Sequence, residues 1–295
     1  MEVAARDQRG TDRVASTKFR HRLTLVVLIA TLAAVYWDIA AEWVRDWIRD
    51  PNYAHGFLIP PICAYLLWKN RGQFEHAPGS PSMAGLVGIL VAAALLIVGS
   101  AGAEVFTQRV SFVLFLSSLV LYLRGWRAFR ITAFPFAFLF LAIPLPYIIY
   151  YGLTEPMQAL AAKCAIFGLK LVGVPVAAQG NIIHLSGASL EVADACSGIR
   201  SLYAFLTLGA LMAYTTSVPL WARILIFLFT IPLSVAGNAV RVFGTGVGVY
   251  LVGPQAAKGT IHEFFGMIVI IVFLGVFLVF KKVAGTLWFE RSSRS

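Results

Sequence analysis

Apolar runs of about twenty residues recur along the whole sequence, each flanked by short polar or basic stretches. A run of that length is what a helix needs to cross the hydrocarbon core of a bilayer, about 20 residues. In lipid the backbone must satisfy its own hydrogen bonds, so such runs are read as helices. The composition agrees. Hydrophobic residues make up 59% of the chain and charged residues 13%, against about 25% charged in soluble domains. Too little polar surface is available to cover a water-soluble fold. A soluble globular enzyme, a disordered chain and a nucleic-acid-binding protein are excluded. The expected fold class is all-α: a polytopic membrane helix bundle whose solvent is the lipid bilayer.

About eight transmembrane helices are expected. The candidate spans are Leu23–Ala41, Tyr53–Trp68, Met83–Ala103, Val105–Leu123, Ile131–Tyr151, Ile199–Tyr214, Trp221–Val240 with an extension to Val252, and Phe264–Phe280. The second and sixth are short, and Pro60 and Pro61 leave the second either kinked or only partly spanning. Arg109, inside the fourth, must snorkel or pair. With the N-terminus placed in the cytoplasm, the cytoplasmic pieces hold 16 Lys and Arg and the outer pieces 6. The positive-inside rule then gives N-in, C-in, with an even number of spans. The expected division is a basic cytoplasmic tail at 1–22, a membrane domain at 23–282 and a cytoplasmic tail at 283–295. The net charge of +10 follows from these clusters.

The longest stretch between spans, 152–198, is expected on the periplasmic side. Glu155–Val174 reads as an amphipathic interfacial helix, with Lys163, Lys170 and Gln158 opposite Leu160, Phe167 and Leu171. Asn181–Leu185 and Ser189–Asp194 alternate like strands, with Ser186, Gly187 and Ala188 between them. They predict a small β-hairpin that delivers the chain to Cys196.

Three residues then fall on one face. Cys196 lies at the outer start of the sixth span, Arg241 near the outer end of the seventh, and His262 at the outer start of the eighth. A thiol, an imidazole and a fixed cation are the composition of a nucleophile with its acid or base and its oxyanion partner. A helix N-terminus and a nearby Arg lower a thiol pKa, and Arg200 lies one turn beyond Cys196. His55 is a second acid/base or substrate-contact candidate on the same side. Each has a plainer reading: a packing cysteine, a snorkelling arginine, a hydrogen-bonded interface histidine. The coincidence of all three on one side favours chemistry. The other cysteines, Cys63 and Cys164, sit in apolar company, and His76 and His184 read as structural. His262-Glu263 opens a zinc-protease pattern that Gly266 breaks. No metal or cofactor is expected.

At these residues the chain resembles the exosortase/archaeosortase family of membrane cysteine transpeptidases. The matching stretches are Tyr53-Ala54-His55-Gly56-Phe57-Leu58-Ile59-Pro60 and Ala142-Ile143-Pro144-Leu145-Pro146. The most specific block is Gly180 to Leu185 followed by Leu190-Glu191-Val192-Ala193-Asp194-Ala195-Cys196-Ser197-Gly198-Ile199-Arg200-Ser201. Asn238-Ala239-Val240-Arg241-Val242 and Ile261-His262-Glu263-Phe264-Phe265-Gly266 complete the set. The resemblance implies Cys196 as nucleophile, Arg241 and His262 as its catalytic partners, and His55, Arg200 and Asn238 as supporting candidates. It implies substrates as well: exported proteins whose C-terminal tail carries a Pro-Glu-Pro-like (PEP-CTERM) motif, a membrane helix and a basic end. Cleavage at the periplasmic face gives an acyl-enzyme that passes to an acceptor nucleophile or to water. Such systems accompany exopolysaccharide synthesis.

Two rivals stay open at this stage. A non-catalytic polysaccharide-export or assembly subunit would use Arg241 and His262 to bind an anionic glycan or headgroup, and would tolerate loss of the Cys196 sulfur. A transporter would show paired broken helices, and none is visible in the sequence. The small residues Gly244, Gly246 and Gly248 offer close approach to a docking helical tail, or ordinary packing within the bundle.

Overall fold

The computed structural model describes residues 26–27, 30–77, 79–180, 182–185, 188–191, 198–257 and 259–292. The side chains of 259–265 and of parts of the helix that follows lie outside that description. Nine α-helices are present among the described residues. They are α1 (30–49), α2 (Ile59–Lys69), α3 (Arg71–His76), α4 (Met83–Ala101), α5 (Val105–Leu139), α6 (Tyr147–Leu171), α7 (Ile199–Thr215), α8 (Leu220–Val252) and α9 (Gly259–Ser292). Short 3-10 helices occur at Pro51–Phe57, Phe140–Ala142 and Pro254–Ala257. Among the described residues four stretches are long and apolar enough to cross a membrane: Met83–Ala101, Val105–Ala142, Leu220–Val252 and Gly266–Val283. The chain is a multi-pass helical membrane protein.

The stretch from Val105 to Ala142 is not one straight rod. Asp46 bonds Arg109 near its start, while the neighbouring Trp47 indole donates to the Ala142 carbonyl at its end. A straight helix would hold those points about 50 Å apart. The chain therefore turns back at Gly125, whose φ of 77° and ψ of −173° are not helical. Glycine adopts that conformation at no steric cost, and the Ser80 carbonyl sits where a side chain would go. The two limbs correspond to the fourth and fifth candidate spans, with the basic stretch 124–130 at their junction.

The fifth span ends earlier than its hydrophobicity predicts. The chain leaves the helix after Ala142, runs extended through Ile143–Pro146 and restarts as α6 at Tyr147. Pro144 and Pro146 explain this, since proline removes a donor and restricts the residue before it. In the second span Pro60 and Pro61 do not kink a helix. They occupy the first turn of α2, where the missing N–H bonds are not needed. Arg109 pairs rather than snorkels.

The contacts sort the connections into two ends. One end gathers 46–55, 103–109 and 141–150. The other gathers 69–82, 124–127, 214–218 and 281–286, through contacts such as Asn70 to Tyr214 and Arg124 to the Phe74 carbonyl. The bundle core beneath the first end is built on Trp43, Trp47, Ile59, Phe138, Ile143 and Ile199.

A second apolar cluster packs on the C-terminal part of α8. It joins α6 to a three-stranded antiparallel sheet of β1 (Val176–Gln179), β2 (Ile182–Leu185) and β3 (Ala188–Glu191). The expected hairpin is there, with Ile182 opposite Glu191 and Leu185 opposite Ala188; Asn181 and 192–194 lie outside the described residues. β1 adds a strand the sequence reading lacked. Ile183 and Leu185 point inward, and His184 meets Ser189 across the strands.

In α6 only Gln158 of the expected polar side is buried, with Ala161, Ala162 and Ala165, while Lys163 and Lys170 are exposed, as are Leu160, Phe167 and Leu171. Small residues allow close helix approach, and apolar ones suit a surface bathed in lipid. Gly246 lies against Leu169 and Gly248 against Ala256, so the protein's own packing occupies two of the three glycines proposed for docking. Gly244 is open.

Candidate functional site

Helix α8 forms the spine of the site. α7 and α9 run antiparallel to it, with Gly209 packed on Thr230, and Gly237 facing Phe273. From Leu220 to Arg241 the helix climbs about 30 Å, the thickness of the hydrocarbon core. Arg241 is half-buried at that height along the helix.

Two glycines bring the flanking helices onto this level. Gly198 caps the N-terminus of α7 with a left-handed φ of 79°. A methyl group on it would lie 2.7 Å from the Asn238 Cγ, so both the backbone and the neighbour demand glycine. Asn238 is buried, one turn before Arg241. On the opposite side Gly266 of α9 rests on the Arg241 guanidinium, where a methyl group would lie 3.2 Å from Cζ. The Thr245 hydroxyl donates to the Arg241 carbonyl at 2.9 Å.

Cys196 lies outside the described residues, two positions before Gly198. His262 falls in the first turns of α9, one turn before Gly266; its side chain lies outside the described residues. The described partners thus place the starts of α7 and α9 on either side of Asn238 and Arg241. Arg200 is exposed on the first turn of α7.

The sequence profile of the transmembrane exosortases matches residues 47–279, most of the chain. The chain belongs to the transmembrane exosortase family. No curated protein and no solved structure matches it significantly. The exosortase match includes His55, Asn238, Arg241 and both site glycines.

Within the exosortase match, His55 is seated apart from Arg241. Its Nε2 lies 3.0 Å from the Leu141 carbonyl, and its ring stacks on Tyr203 at 5.1 Å and 19°. Tyr203 sits one turn after Ile199, and Tyr53 packs on it edge-on at 5.4 Å. This is a clamp on the start of α7, and it does not bring His55 onto Arg241.

One feature escaped the sequence reading. Thr230, Ser234, Asn238 and Thr245 are all buried on α8, and Arg241 joins them at helical spacing. A polar residue every turn in an otherwise apolar 33-residue helix is the signal that could have shown it. No cluster of three metal-binding side chains occurs among the described residues.

Proposed function

We propose that this exosortase is a membrane-embedded cysteine transpeptidase or peptidase that processes the C-terminal sorting tail of exported proteins. The Cys196 thiolate attacks the scissile carbonyl and the Arg241 guanidinium stabilises the oxyanion. His262 donates a proton to the leaving amine. The thioester acyl-enzyme then passes to an acceptor nucleophile or to water. The observation that carries this reading is the seat of Arg241. It lies half-buried where α7 and α9 begin, one turn from the Asn238 that packs under Gly198. Ionisable residues inside membrane helices are rare and mark functional sites.

Around that chemistry the proposal assigns eight crossings in the inner membrane, with both tails, 1–22 and 283–295, in the cytoplasm. The site opens on the periplasmic side, where tails with a Pro-Glu-Pro-like motif would arrive from exopolysaccharide-linked systems. His55 and Asn238 act as positioning residues for the start of α7, and Arg200 lends positive charge near the thiol.

The test is a processing assay. A reporter with a Pro-Glu-Pro-type tail is co-expressed with wild type or Cys196→Ala, and its mass is followed. A shortened reporter with wild type alone supports the thiol mechanism, and added mass at the new C-terminus identifies the acceptor. Equal processing by both forms overturns it.

A further inference from the structure

A cleft of 460 Å³ opens between the last turn of α1, the connection from α4 to α5, and the Pro144–Tyr150 segment. Its charged lining is Asp46, Arg49, Asp50, Glu104 and Arg109. Charge at a bilayer boundary is expensive unless paired or used. Arg109 is only 2% exposed. Its Nη2 donates to Asp46 Oδ2 at 2.5 Å, yet its Nε–H has no hydrogen-bond partner among the described residues. Asp50 uses one oxygen to accept from the Asn52 N–H at 2.9 Å, leaving the other for a further donor. Glu104 accepts from the Phe106 and Thr107 N–H groups and adds a third carboxylate.

These groups select a ligand by sign. A simple anion would meet three carboxylates. A simple cation would leave Arg109 and the exposed Arg49 facing it. A ligand with an ammonium and a phosphate a few bonds apart satisfies both sets. The ammonium would sit between Asp46 and Asp50, beside the ring faces of Tyr53 and Tyr150. The phosphate would lie toward the two arginines. Beside the cleft, Ile48 is 68% exposed and Ile148 is 89% exposed, apolar surface suited to acyl chains rather than water.

We propose that this cleft binds the phosphoethanolamine headgroup of a membrane phospholipid. The proposal stands apart from the Cys196 reading, since none of its residues belongs to that site.

The test uses the full chain in nanodiscs of equal phosphatidylethanolamine, phosphatidylglycerol and phosphatidylcholine, released into native mass spectrometry. The expected result is preferential retention of one phosphatidylethanolamine. The double variant Asp50→Asn, Glu104→Gln keeps the capping oxygens and removes the charges. It should lower retention about tenfold or more, the loss of a charge-assisted hydrogen bond. Arg49→Gln, an exposed change with little bearing on folding, should lower it in the same direction. Equal retention of the three lipids, or unchanged retention in both variants, would overturn the proposal. An arm with excess free O-phosphoethanolamine separates the sources. Retained lipid that the free compound does not strip supports a lipid site. Binding of the free compound with no lipid enrichment overturns the lipid assignment in favour of a soluble ligand.

Discussion

Gly266 lies flat against the Arg241 guanidinium, so closely that a methyl group on its Cα would come within 3.2 Å of Cζ and Nε. The glycine leaves the cation a fixed seat between α8 and α9. A large side chain there must push the guanidinium aside. Gly266→Leu is therefore expected to lower reporter processing about 100-fold or more, the loss typical of a displaced oxyanion donor. The amount of folded protein in the membrane should change little, since the displaced group is a side-chain end. Arg241→Lys should fall similarly, because a point charge does not replace a planar fork. Processing rates at matched protein levels check both, and a Gly266→Leu enzyme with normal rates would separate Arg241 from the chemistry.

Much of this arrangement was legible in the sequence. The sixth span, Ile199–Tyr214, and α7, Ile199–Thr215, agree almost residue for residue, because a glycine start and a polar Thr215-Thr216-Ser217 end bound it. The turn at Gly125 announced itself as three arginines in seven residues. The break at Ile143–Pro146 was missed because the span was drawn on hydrophobicity, which does not drop there; Pro144 and Pro146 carried the signal. The burial of Gln158 on α6 was hidden too, because helical periodicity reports which faces differ and only the surroundings decide which residues meet protein. Cys196 and the His262 side chain, the two reacting groups of the sequence reading, lie outside the described residues, so their geometry rests on Gly198 and Gly266.

Gly125 tests the reversal between the two limbs of α5. Its backbone sits at positive φ with ψ near 180°, a region open essentially to glycine, and the Ser80 carbonyl fills the space of a side chain. Gly125→Ala should destabilise the protein by about 1–3 kcal/mol from backbone strain alone. The displaced Ser80 segment adds to this. A melting curve in detergent checks it, and an unchanged midpoint would contradict the reversal.

The Arg109–Asp46 pair predicts an asymmetry. The Arg109 side chain is 3% exposed and the Asp46 side chain 35%. Asp46→Ala strands a buried cation and should cost about 3–5 kcal/mol. Arg109→Met leaves a carboxylate that water already reaches, so its cost should be smaller. The double variant Asp46→Ala, Arg109→Met should recover part of the loss, since no unpaired charge remains. Unfolding midpoints of the four proteins close the cycle. Equal damage from the two single changes would show that the exposure difference has no energetic consequence.

His55 predicts a cost at the start of α7. Its Nε2 lies 3.0 Å from the Leu141 carbonyl, and its ring stacks on Tyr203 at 5.1 Å. His55→Ala removes both contacts and should destabilise the protein by about 1–3 kcal/mol. His55→Gln keeps a donor for the carbonyl and loses the stack, so its cost should be smaller. Melting curves in detergent check both, and an unchanged midpoint in His55→Ala would remove the clamp on α7.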